Sequence, residues 1–304
     1  MKVGVLTFSY ATFDHFEESL ARTGAYSINL GDNAQTIAAR QLLLRLGACA
    51  DDIIEVDRDT LSSYSGPPVQ LLMNAVFRPQ SFPISDHVTP IFLGFCARPE
   101  TLALSADYLK RHEPIGCRDD ATADALKTLG VDAFTSGCVT LTLSPRRDAK
   151  RPPRAYFVHG AGAGAFPGQA LAHAPQNILN DAEFLFHRLP VFQFPLPVSQ
   201  QRAAERYEAI LLDEIRDNAT LVVTPLHHIA APSIAMGVPT IICRKETDAR
   251  FSFLQKITPI FVPGAFDAID WAPSALDVST IRRAYEERLR TALSQHAWLS
   301  GDSS

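Results

Sequence analysis

The sequence predicts an α/β protein made of two Rossmann-like domains that face a cleft. Three observations carry that prediction. Short apolar runs bounded by turn residues alternate with segments of helical periodicity, the pattern of a parallel, doubly wound sheet. The alternation occurs twice. Between the two series, residues 144–154 read S-P-R-R-D-A-K-R-P-P-R, a charged, proline-rich stretch with nothing to bury, as expected of an interdomain linker. The domains that follow are 1–145 and 155–304, in a chain of 304 residues, long enough for two domains of about 150 residues.

In the first domain, residues 2–8 read as a strand. After a polar loop, Asn29-Leu30-Gly31-Asp32 leads into a helix with Ala34, Ile37, Ala38 and Leu42 on one face and Gly47 as its stop. Residues 53–56, 69–77 and 89–95 have the apolar, turn-bounded character of buried parallel strands, and 101–111 that of a helix. A strand at 115–117 then precedes a helix through Ala121, Ala125, Leu126 and Leu129 that ends at Gly130. The second series comprises a strand at 155–158, a helix around 203–216, strands at 221–224, 238–242 and 260–262, and a charged amphipathic helix at 279–294. Between 224 and 238 a short helix runs to Met236 and stops at Gly237, with Pro232 expected in its first turn, where proline is tolerated.

Composition narrows the function. With 46% hydrophobic and 20% charged residues the chain is an ordinary globular protein. A net charge of −5 argues against a nucleic-acid partner, which demands a basic surface. No apolar run reaches 18 residues, so no transmembrane segment is expected, and the chain starts on a strand without a leader. The five cysteines show no C-x-x-C pairing and no His, Asp or Glu cluster has ligand spacing, so neither a disulfide framework nor a metal is expected. Reduced thiols and the missing leader point to the cytoplasm.

The most informative stretch is 221–242. Its strand breaks into Pro225-Leu226-His227-His228 just where a helix begins, and unpaired N–H groups of a first helical turn favour an anion in the crevice at the carboxyl ends of the strands. Gly160-Ala161-Gly162-Ala163-Gly164 invites a phosphate-loop reading, but its glycines miss the G-x-G-x-x-G offset, so it reads as a flexible cleft loop, with His159 before it in a structural role.

Residues 29–33, 114–122 with 136–143, and 224–239 with 248–251 are three segments that together resemble the polysaccharide pyruvyl transferase family. Asn29-Leu30-Gly31-Asp32-Asn33 is similar to its N-x-G-D loop after the first strand. Residues 114–122, continuing through the strand-like 136–143, are similar to its central arginine motif. Residues 224–239, extended by Asp248-Ala249-Arg250-Phe251, are similar to its C-terminal T-S-R-L-H-x-x-x-P-x-x-x-G-x-P signature. The resemblance implies a two-domain glycosyltransferase B-like fold and transfer of the pyruvyl group of phosphoenolpyruvate, the donor substrate, onto two hydroxyls of a sugar as a ketal. No cofactor is implied. The partners are the small-molecule donor and a sugar or lipid-linked oligosaccharide acceptor, the latter placing the protein at the inner face of the membrane; a homo-oligomer is compatible with the sequence.

The catalytic candidates are Arg118 as the fork for the donor's negative charge, His228 as the acid that protonates the enol carbon, and Asp32, which either accepts a proton from the acceptor hydroxyl or, the stronger reading, caps the following helix. Arg118 read without the family is a surface ion pair with Asp119 or Asp120. Substrate-binding candidates are Asn29 and Gly31 in the first loop, Asn74 and Arg78 on the acceptor side, and His227 and Arg250. Leu226 and His227 occupy the signature's arginine and leucine positions. Either His227, Arg244, Lys245 or Arg250 supplies the missing charge, or the donor differs, or activity is lost. Two further readings stay open: a glycosyltransferase with a nucleotide-sugar donor, and a non-catalytic subunit of a polysaccharide assembly complex.

Overall fold

The computed structural model describes residues 2–146 and 154–295. The chain is mixed α/β with several parallel sheets. The first half contains β1 (Lys2–Thr7), α1 (Asp14–Thr23), β2 (Tyr26–Asn29), α2 (Gly31–Arg45), β3 (Ile53–Asp57), β4 (Val69–Leu72), β5 (Val76–Phe77), β6 (Val88–Ile91), β7 (Leu93–Ala97), α3 (Pro99–Lys110), β8 (Ile115–Cys117), α4 (Asp120–Thr128) and β9 (Ala133–Thr135). The second half contains β10 (Arg154–His159), α5 (Gln176–Asn180), β11 (Ala182–Phe186), β12 (Arg188–Val191), α6 (Val198–Asn218), β13 (Ala219–Thr224), α7 (His227–Ala235), β14 (Thr240–Cys243), α8 (Ser252–Gln255), β15 (Ile260–Phe261) and α9 (Ser279–Gln295).

Two parallel sheets in the first half run in the orders β3-β1-β4-β6 and β5-β7-β8-β9; the second half forms a five-stranded parallel sheet, β11-β10-β13-β14-β15. The runs at 69–77 and 89–95 each divide into two strands that belong to different sheets, because Asn74 and Phe92 interrupt the ladders. An antiparallel ribbon joins the halves: β12 pairs with β2, setting Arg188 opposite Asn29. Helix α9 returns to the first half, where Tyr285 Oη donates to the Leu93 carbonyl at 2.9 Å and Arg45 meets Glu286 at 2.9 Å. One of the two main apolar clusters accordingly mixes Val3, Ala38 and Leu42 with Tyr156, Val222 and Leu289. Most of the proline-rich run expected as a linker, 147–153, lies outside the described residues.

Three local expectations change. The chain makes α1 and β2 after β1, so Asn29 ends a strand instead of opening a loop. The segment 136–143 forms a 3₁₀ turn at Val139–Thr142 rather than a strand. Pro232 lies in the interior of α7, which starts at His227; its missing N–H leaves the His228 carbonyl without an i+4 donor.

Candidate functional site

The carboxyl ends of β2, β10, β13 and β14 and the residue after β8 converge on a cavity of about 260 Å³, lined by Asn29, Asp32, Arg118, Gly160, Gly164, His187, Arg188, Leu226, His227, His228, Arg244 and Arg250, among others. This is the crevice at strand carboxyl ends where α/β sheets place ligands. Two helix N-termini meet there. Neither α2 nor α7 is capped by the side chain of its N-cap residue, and the partial positive charge of both first turns faces the cavity, although at α2 the Gly31 N–H is taken by Asn29 Oδ1. Their approach depends on Gly31: a Cβ built on it would lie 2.4 Å from His228 Cβ. The glycine thus admits a histidine, where sequence reasoning expected it to admit ligand.

Arg118 is 2% exposed, far from the surface ion pair that its acidic neighbours suggest. Its Nη2 approaches Cys96 Sγ at 3.0 Å, its Nε has no hydrogen-bond partner among the described residues, and Asp119 holds its Oδ2 3.7 Å from that Nε while its Oδ1 caps α4 through the Thr122 N–H at 2.9 Å. Asp120 turns to Lys256 at 2.7 Å. On the second-half side, Arg244 and Arg250 share Asp248, with Nη2 to Oδ2 distances of 3.1 and 2.6 Å. Burial works to raise the Asp248 carboxyl, but the Arg250 hydrogen bonds and both guanidinium charges bring it down to about 2. Arg244 also lies over the Phe251 ring at 4.2 Å and donates to the Pro225 carbonyl, which fixes it beside the start of α7.

The histidines behave differently from a neutral-range acid. Burial, then Arg118 and Arg250, hold His227 well below 6.5; burial, His227 and Arg118 do the same to His228. The protein's own groups therefore keep both rings neutral at pH 7, and protonated His228 requires negative charge from a ligand. Both Nδ1 atoms are buried without hydrogen-bond partners among the described residues. Cys138 Sγ and one ring nitrogen from each histidine lie within 4.8 Å of one another, close enough to hold a metal ion, a grouping that sequence spacing does not signal. The field opposes a cation there: Arg118 and Arg250 are the charges that already disfavour protonation of these rings.

Asp32 does not cap α2. It sits in the first turn and accepts from Tyr10 Oη at 3.0 Å, and burial raises its carboxyl above the ordinary range, against the opposing pull of Arg58 and Arg118. Asn29 shapes the entry instead, its Oδ1 accepting from Gly31 N at 3.2 Å. Leu226, in the signature's arginine position, packs onto the glycine loop: a Cβ on Gly164 would lie 2.7 Å from Leu226 Cδ2. His227, Arg244 and Arg250 are on the cavity wall, whereas Lys245 is exposed beside Glu246 at 3.6 Å.

Asn74 is not brought to the cavity. It is 2% exposed and donates to the Gln35 carbonyl of α2 at 3.4 Å, because the break between β4 and β5 turns it inward. Arg78 lies in an adjoining groove of about 1050 Å³ that shares Asn29, Asp32, Arg188 and Arg250 with the cavity; it stacks 3.6 Å over Phe13 and donates to the Thr12 carbonyl at 2.9 Å. His159 stays outside, against Phe186. Sequence reasoning missed His187 and Arg188, although both follow the apolar run Phe184-Leu185-Phe186, and a strand end is where cleft residues sit.

A family model described as polysaccharide pyruvyl transferase matches residues 29–244. No curated protein matches the chain. Among solved structures, a functionally uncharacterised protein of Klebsiella pneumoniae is similar at 11% identity and a TM-score of 0.41, over 83% of this chain and 88% of that one. No helix among the described residues is long and apolar enough to cross a membrane.

Proposed function

The chain belongs to the polysaccharide pyruvyl transferase family, and from that premise we propose that it transfers the pyruvyl group of phosphoenolpyruvate onto two hydroxyls of a sugar in a polysaccharide precursor, as a ketal, without a cofactor or metal. The observation that carries this reading is Arg118: a guanidinium buried at the cavity wall with its Nε unpartnered, facing neutral histidines and two further arginines. Phosphoenolpyruvate brings about three negative charges, which suit forked guanidinia and the partial positive charge of two helix N-termini. The same charge raises the proton affinity of His228, so the donor itself creates the acid that protonates its C3. Asp32, with its raised carboxyl at the junction of cavity and groove, takes the proton of an attacking hydroxyl. The groove with Arg78 and Phe13 receives the acceptor.

Thermal unfolding with added ligands tests the donor. Phosphoenolpyruvate at a hundredfold excess over its Kd stabilises the protein by about 2.7 kcal/mol, and nucleotide sugars leave it unchanged. Stabilisation by nucleotide sugars alone overturns the reading in favour of glycosyl transfer, and stabilisation by neither overturns it in favour of a non-catalytic role.

A further inference from the structure

His187 lies in the turn between β11 and β12, its N–H bonded to the His159 carbonyl at 2.7 Å and its side chain 1% exposed. Its Nε2 is 2.7 Å from Oε2 of Glu208, which α6 holds at 0% exposure. The remaining polar atoms of the pair, His187 Nδ1 and Glu208 Oε1, have no partner among the described residues. Val158, Leu185, Leu211 and Ile229 enclose one side. A half-satisfied polar pair in such surroundings costs stability that an apolar pair of the same volume would recover. On its other side His187 borders the cavity together with Asp32, Arg188 and His228. Burial raises the Glu208 carboxyl, against the pull of His187; an ionised Glu208 accepts from Nε2 at 2.7 Å, and that assigns the lone pair to Nδ1.

Resting on the pyruvyl-transfer reading, the chemistry requires two proton acceptors. Two hydroxyl O–H bonds break and two O–C2 bonds form; one proton goes to C3 and one departs with phosphate. Asp32 takes the first hydroxyl's proton, balancing the one that His228 gives to C3. We propose that His187, positioned by Glu208, is the second base. Its Nδ1 takes the proton of the second hydroxyl as that oxygen bonds to C2 and the C2–O bond to phosphate breaks. The proton then leaves with the phosphate as hydrogenphosphate, and while it resides on His187 the Glu208 carboxylate balances the imidazolium.

Long-range ¹⁵N NMR of the histidines at pH 7 tests the positioning without an acceptor. The expected spectrum shows His187 protonated at Nε2 and bare at Nδ1, Glu208→Gln reverses this tautomer, and Glu208→Asp restores it. Phosphate release from phosphoenolpyruvate, with p-nitrophenyl hexosides as acceptors, tests the base: Glu208→Gln lowers turnover about 100-fold at unchanged KM for phosphoenolpyruvate. A proton on Nδ1 of the wild type overturns the proposal, whether or not any hexoside is used. So does a reversed tautomer at undiminished turnover. Absence of any thermal shift of the wild type by phosphoenolpyruvate overturns the pyruvyl-transfer reading and the base role with it.

Discussion

Arg58 and Arg118 are both 2% exposed, and they differ in what surrounds the charge. Asp59 lies side-on to Arg58, with Nη2 2.9 and 3.0 Å from its two oxygens; the same carboxylate accepts from Tyr10 N and Thr12 Oγ1, while Phe8 and Phe13 cover the guanidinium. The Nε and Nη2 of Arg58 both have a carboxylate partner. Arg118, on a cavity wall, has a thiol and Asp119, whose Oδ1 caps a helix while its Oδ2 stands 3.7 Å from an Nε that has no hydrogen bond among the described residues. A buried cation met closely by its own carboxylate is answered within the fold; one whose carboxylate stands 3.7 Å off leaves more of its charge for an anion from outside. Burial alone does not separate the two roles, whereas the partner inventory does.

The largest effect that can break this contrast comes from Arg58→Ala. It strands Asp59 unpaired in the interior and costs about 3–5 kcal/mol of stability in urea unfolding. Arg118→Ala removes a charge that the fold never neutralised fully, so its stability loss is smaller, while affinity for phosphoenolpyruvate drops by about 1.5–3 kcal/mol, one charged hydrogen bond. Equal destabilisation by both substitutions would dissolve the distinction.

Gly31→Ala sharpens it, because α2 starts between the two arginine sites. The new Cβ would lie 2.4 Å from His228 Cβ and 3.0 Å from Cγ, atoms near the backbone of α7 that cannot swing aside. Overpacking of this kind costs about 1–3 kcal/mol. The damage falls on the cavity: the donor-induced thermal shift shrinks, and the backbone chemical shifts of residues 57–59 stay as in the wild type. Disturbance at Asp59 instead of His228 would show that the two regions are one mechanical unit.

What the sequence disclosed follows the same division. Buried parallel strands such as β1, β8 and β13 announce themselves by apolar runs with turn residues at their ends, and β13 led directly to His227 and His228. Helix α1 and strands β11 and β12 did not, because α1 buries none of its residues and the two strands are only partly covered, so no clean period marks them. Arg118, Asp32 and Arg250 were legible through motif order. That Asp32 does not cap α2 was not legible, since only the approach of Tyr10 Oη shows where its carboxylate goes. Asn74 misled for the converse reason: an amide after a strand points to ligand or to backbone with equal ease, and here Gln35 claims it. Glu208 sits among charged residues of α6, and nothing in its neighbours' spacing reveals that it alone of them meets His187.

The smallest effect is a pH dependence that belongs to the cavity. His227 and His228 are held well below 6.5, the value they regain on unfolding, so between 6.5 and their native values the unfolded chain binds more protons. Stability therefore falls as pH drops below 6.5, by up to about 1.4 kcal/mol per pH unit for each ring held neutral. Urea unfolding at pH 6.5, 6.0 and 5.5 measures the slope, and His228→Asn removes one ring's share of it. Saturating phosphoenolpyruvate acts in the opposite sense: a donor that brings negative charge to both rings raises their native values, and its own binding strengthens on acidification over the same interval. A slope that His228→Asn leaves intact, or donor affinity that does not rise below pH 6.5, would mean that the charge of Arg118 is already answered inside the protein and that its resemblance to Arg58 is closer than the partner inventory indicates.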